Sequence, residues 1–134
     1  MKKTGLYILL LTALCLCACS IQKDNGKKIR DISSTVIDTE DVPEELKAQI
    51  EEKKTKDFRI TYADKGDLYI VRGYGKKNTS GYSVEVTDCY ETEKTICIVT
   101  NLLGPGKGEE IAKKATYPYV VIKMKYIDKY VVFK

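Results

Sequence analysis

The side chains that could do chemistry here are five cysteines, and their positions split them into two groups. Cys15, Cys17 and Cys19 crowd the start of the chain, while Cys89 and Cys97 stand in its body. A thiolate can act as a nucleophile, a metal ligand or one half of a disulfide. The chain has no histidine. That removes the commonest general base, the commonest zinc ligand and every Ser-His or Cys-His nucleophile pair. Two cysteines in the body are too few to hold a metal, so neither a metal nor a cofactor is expected.

The early cysteines mark the end of a leader. Met1-Lys2-Lys3 opens the chain, residues 5–18 are largely apolar, and Leu16-Cys17-Ala18-Cys19-Ser20 follows. A short basic start, an apolar stretch and a small residue before the cut are the parts of a secretion signal. The apolar run is short against the roughly 20 residues a spanning helix needs. Its end resembles a bacterial lipobox, in which Leu stands three residues before an invariant Cys with small residues between. Leu16, Ala18 and Cys19 match, and Cys17 is small enough to fit. The resemblance implies that residues 1–18 are a lipoprotein signal peptide, that Cys19 becomes the mature N-terminus, and that lipid on its thiol ties the chain to the extracytoplasmic face of a membrane.

An exported chain meets an oxidising environment, where Cys89 and Cys97 become candidates for a disulfide. Both fall on one expected hairpin. An odd loop centred on Glu93 would set them directly opposite, with Cβ atoms about 4.5–5.5 Å apart; an even loop would set them on a diagonal at about 7 Å. The oxidising location favours the bonded form.

Bulk properties narrow the remaining classes. Without the leader the chain is the size of one domain. Its 23 basic residues against 19 acidic ones lose Lys2 and Lys3 with the leader, which leaves a near-neutral balance. No Lys/Arg block forms a basic run, so nucleic acid is not expected as a partner. Ten tyrosines against two phenylalanines suit half-buried strands and contact surfaces, because tyrosine has one apolar end and one wet end.

The elements that must position these residues follow from the pattern. Residues 19–35 read as a flexible tether, polar and glycine-bearing through Asn25-Gly26-Lys27-Lys28, with a first strand beginning around 32–37. A helix is expected near 43–54. Pro43 suits its first turn, Glu44 and Glu45 its positive end, and Lys53, Lys54 and Lys56 its negative end. Val42, Leu46 and Ile50 form a narrow apolar stripe, so the helix should lie on a sheet. From Phe58 the period changes to two. Strands are expected at 58–62, 68–75, 82–90, 95–100, 119–125 and 130–133, with Tyr82, Val84 and Val86 on one face. The short connections imply mostly antiparallel pairing. Residues 36–134 therefore read as a mainly β domain, a small antiparallel β-sandwich or open barrel with one N-terminal helix.

Two motifs dissolve on inspection. Gly104-Pro105-Gly106-Lys107-Gly108 lacks the spacing of a phosphate loop: Asn101 stands where its first Gly belongs, and Gly108 follows Lys107 where Ser or Thr is needed. Asp88, Glu91 and Glu93 gather at one hairpin end, where a solvated turn is a commoner role than acid–base catalysis. The polar loop through Asn78, Thr79, Ser80, Gly81 and Tyr82 is a turn by composition and a candidate contact surface by position.

Resemblance to known families adds to this. Thr79-Ser80-Gly81-Tyr82-Ser83-Val84-Glu85-Val86, then Gly104-Pro105-Gly106, then Tyr117-Pro118-Tyr119-Val120-Val121-Ile122-Lys123 resembles the C-terminal domain family of the protease complex subunit PrcB. Ser80 and Asn78 depart from it, standing where that family has Gly and Pro. The resemblance runs from about residue 68 to residue 125. It implies a small secreted or lipid-anchored bacterial protein, not an enzyme, that binds another protein, a surface or secreted protease in particular. The binding edge would comprise Asn78, Thr79, Ser80, Gly81 and Tyr82, with Gly104, Pro105 and Gly106, and Tyr117, Pro118 and Tyr119. A weaker similarity to chagasin-type protease inhibitors rests on Asn78, Thr79, Gly81 and Tyr82, the glycine loop and Pro118, in the same chain order. It implies an alternative in which the same loops block a protease.

Overall fold

A computed structural model describes residues 26–134. The leader, Cys19 and the start of the tether lie outside the described residues. In chain order the elements are β1 (Arg30–Asp31), β2 (Ser34–Ile37), a 3-10 turn (Thr39–Asp41), α1 (Glu44–Lys53), β3 (Asp57–Asp64), β4 (Asp67–Tyr74), β5 (Ser83–Glu91), β6 (Thr95–Leu103), β7 (Tyr119–Lys125) and β8 (Tyr130–Phe133). Two four-stranded sheets form, ordered β2-β7-β4-β3 and β1-β5-β6-β8. The described residues form a small, mainly β sandwich with one α-helix laid on its outside.

The layering follows from strands that are apolar on both faces. Leu68-Tyr69-Ile70-Val71 in β4 and Val120-Val121-Ile122 in β7 are continuous apolar runs, all buried. Such runs suit strands covered on both sides. Tyr69, Val71 and Val121 turn toward α1, where Val42, Leu46 and Ile50 close a first core with Phe58 and Ile60. Leu68, Ile70, Ile122 and Met124 turn the other way and meet Ile96 and Ile98 of the second sheet. The helix therefore lies on a sheet, as its narrow stripe implied. Between β3 and β4, Lys65 and Gly66 both have positive φ, 50° and 81°, as a two-residue type I′ hairpin turn requires.

In β5 the alternation is reset once. Val86 pairs with Thr100 and Asp88 with Val99, so Thr87 is an extra, bulged residue. Val86 and Cys89 consequently both face the inter-sheet core, although an odd number of positions separates them.

Two expectations are corrected. The tether does not extend to residue 35: Arg30–Asp31 pairs with Glu91 and Tyr90, and Ser34–Ile37 pairs with β7. The disulfide does not form, and both thiols are free. The hairpin loop is even, which sets Cys89 opposite Ile98 and Cys97 opposite Tyr90. Residues in directly opposed pairs share a face, so the two thiols point to opposite faces of their sheet. Burial also pushes the Cys89 thiol up, which keeps it in its less reactive form. Pairing is mostly antiparallel, as expected; the exception is β8, which pairs parallel with β6. Both edges of β7 are taken, by β2 and β4, so the chain after β7 cannot fold back onto β7 as a hairpin. It crosses to β6 and packs the half-buried Val131 and Phe133 against the inter-sheet core.

Glu91 is one of the few buried charged side chains. Its Oε1 lies 2.5 Å from Arg30 Nε and its Oε2 lies 2.5 Å from Lys129 Nζ. The bond from Lys129, then that from Arg30, holds its carboxyl below the ordinary glutamate range. The native state thus binds fewer protons at this site than the unfolded chain. Its contribution is fully present above about pH 4.3, the unfolded value, and is lost as pH falls through the depressed native value. Glu91→Gln should accordingly flatten the acid limb of a melting-temperature profile between pH 6 and pH 3. Parallel acid limbs for the two proteins would refute the assignment.

Candidate functional site

Antiparallel connections bring the ends of β4, β6 and α1 and the starts of β5 and β7 to one end of the sandwich. Loop 75–82 joins β4 to β5 there, and loop 104–118 joins β6 to β7. The base of this end is braced across the sheets by Tyr74 Oη and Thr100 Oγ1, 2.6 Å apart. The Arg72 guanidinium stacks over the Tyr74 ring with its carbon 4.0 Å from the centroid. Its two terminal nitrogens donate to Asp57 Oδ1 at 3.0 Å and Oδ2 at 3.3 Å.

The two loops are stitched together. Lys77 and Thr116 exchange backbone hydrogen bonds of 2.8 and 2.9 Å. Ser80 N–H donates to Ala112 O at 3.0 Å, and Ala112 N–H donates back to Ser80 Oγ at 2.8 Å. The Thr116 hydroxyl donates to Thr79 O at 2.7 Å. Thr79 and Ser80 therefore shape the loop, while Asn78 stays exposed.

Gly81 shows why a glycine is needed. Its φ is +93°, and a Cβ there would sit 2.8 Å from Pro105 Cβ. One residue on, the Tyr82 ring covers Gly104, with Cε1 3.5 Å from where a Cβ would be. Gly81-Tyr82 and Gly104-Pro105 thus interlock. Gly106 lies beyond them, its N–H bonded to Glu109 Oε2 at 2.7 Å.

Beside this interlock lies an open groove of about 420 Å³. Tyr82, Ser83 and Val84 form one wall, Tyr117, Pro118 and Tyr119 the floor, and residues 36–39 the other wall. Lys54 Nζ sits 4.8 Å from the Tyr117 ring centroid and 2.8 Å from Glu51 Oε2. The hydrogen bond that Lys54 donates to Glu51 raises its pKa, so its ammonium is held over the ring in charged form. Tyr119 Oη lies 3.0 Å from Thr39 Oγ1.

The structure thus gathers the three segments picked from the sequence. Tyr82, Tyr117, Pro118 and Tyr119 line the groove; Gly81, Gly104 and Pro105 set its shoulder; Asn78 and Gly106 lie outside it. Sequence reasoning missed the wall at residues 36–39, the lysine over Tyr117, and Ala112. Each is distant in sequence and carries no local signal. Two of the acidic trio, Glu91 and Asp88, are engaged in structural contacts. Glu91 is buried between two cations at the far end of β5, and Asp88 bonds Lys28 and the Cys89 N–H. Among the described residues, no group of three or more His, Cys, Asp or Glu could hold a metal ion. Half-buried tyrosines on a braced frame offer much area with few rotors to freeze, which is chemistry suited to a contact surface.

Residues 68–125 match the family model described as PrcB C-terminal. The match begins with Leu68 in β4, ends with the last residue of β7, and takes in both loops and the groove floor. No curated protein and no solved structure matches the chain.

Proposed function

We propose that this chain, whose β4-to-β7 core carries the PrcB C-terminal match, is a lipid-anchored, non-enzymatic extracytoplasmic protein that binds a surface or secreted protease through its loop end. The observation that carries this reading is the convergence, inside the matched residues, of Tyr82, Tyr117 and Tyr119 on one open groove beside the Gly81–Pro105 interlock. The family's name is that of a protease-complex subunit, and a braced aromatic surface is what a docking partner needs. Anchoring through Cys19 would hold the domain at the membrane's outer face.

Site-specific photocrosslinking in the native cell tests this without relying on truncated side chains. A benzophenone amino acid in place of Tyr117 should capture a secreted or surface protease, identified by mass spectrometry. The same group in place of Tyr130, 85 % exposed at the opposite end, should not. Capture at Tyr130 alone, or no protease at Tyr117, would overturn the reading. Peptidase assays on the isolated complex then separate its two forms. Retained activity marks a subunit, and activity that returns only on dissociation marks a chagasin-like inhibitor.

A further inference from the structure

The helix C-terminus and the two loops bring together lysines that are dispersed in sequence. Lys56 follows α1 and Lys76 follows β4; Lys76 N–H donates to Thr55 O at 3.2 Å. Lys77 is bridged to Thr116, which places Lys113 and Lys114 on the same end, and Lys53 closes the helix. None of these six lies within ion-pair distance of a carboxylate among the described residues. The neighbouring acids are mostly committed elsewhere. Glu51 holds Lys54, Asp57 holds Arg59 and Arg72, and Glu109 turns to the Gly106 N–H. A set of unmatched ammonium groups beside an aromatic groove creates a positive field at the place proposed for docking.

We infer that this lysine-rich end receives an acidic protein segment, whose carboxylates pair with Lys53, Lys56, Lys76, Lys77, Lys113 and Lys114 while its body lies on the tyrosine groove. The inference rests on the reading of this end as the docking end and names the chemistry of what docks. A membrane surface is the other anionic candidate, and the chain's direction argues against it. Ile29 N–H bonds Glu91 O, so the N-terminal segment leaves the fold at the far end of β5. That strand has nine residues, or about 30 Å at roughly 3.3 Å each. The distance is several times the roughly 8 Å over which physiological salt screens charge. An anchor on Cys19 would therefore join the fold at the end opposite the lysines.

The test titrates full-length protein, in non-ionic detergent, against fluorescent poly-L-glutamate and against polyphosphate. Binding to polyglutamate should be salt-sensitive. It should weaken at least about tenfold, roughly 1.4 kcal/mol, in Lys56→Glu/Lys76→Glu/Lys113→Glu. It should be little changed in Lys65→Glu/Lys125→Glu at the opposite end. No binding, equal loss in both variants, or binding of polyphosphate alone would overturn the inference. Crosslinking at Tyr117 separates this from the docking reading. Undiminished protease capture by the triple variant removes the acidic-segment inference and leaves the docking end standing. Polyglutamate binding without any capture removes the docking reading and supports the charge recognition.

Discussion

Replacing Gly73 with Val should lower stability by about 3 kcal/mol, near the upper end of what overpacking usually costs. For a domain of this size that corresponds to a fall of roughly 10 °C in melting temperature. Gly73 stands directly opposite Phe58 in the β3–β4 pair. The Phe58 ring lies across the space a side chain at 73 would fill, with Cζ 2.7 Å from the position of a Cβ. The ring cannot simply swing aside, because Phe58 is 7 % exposed and packed in the core beneath α1. Unlike Gly81, Gly73 has no positive φ, so the constraint is volume and not backbone conformation. The double variant Gly73→Val/Phe58→Ala separates these causes. A side chain at 73 should cost far less once the ring is gone, giving a large coupling energy in the cycle. A Gly73→Val protein that melts within about 2 °C of the parent would remove the packing account.

The second large effect is on location. Cys19→Ala should abolish lipid labelling and move the protein from the membrane fraction to the soluble or unprocessed pool. Each buried acyl CH₂ contributes about 0.8 kcal/mol to membrane partitioning, so loss of the thioether removes most of the binding energy of an anchor. No helix among the described residues is long and apolar enough to take over by crossing the bilayer. Cys15→Ala and Cys17→Ala serve as controls, since neither occupies the position proposed for lipidation. Metabolic labelling with a fatty acid, followed by detergent-phase partitioning, reads the outcome. A Cys19→Ala protein that remains lipid-labelled in the membrane fraction would defeat the lipobox assignment.

Much of the fold was legible because it is local. Alternation marked β3 and β5, continuous apolar runs marked β4 and β7, and Val42, Leu46 and Ile50 announced a helix with one buried stripe. The candidate loops were legible for a similar reason, as glycine, proline and tyrosine clusters between strong strands. What the sequence left open was every question of which neighbour a strand meets. Period two states that a strand has two faces, but the parity of a hairpin loop decides which side chains share one. An even loop therefore parted Cys89 from Cys97. The bulge at Thr87 shifted the face of every residue after it in β5. Strand β8 has the composition of a hairpin partner for β7, yet β7 had no free edge, a fact that depends on β2 and β4 far away in the chain. The groove wall at residues 36–39 and the grouping of six lysines belong to the same class. No run of sequence contains them, because they exist only where separate chain ends are packed to one side by the closure of two sheets.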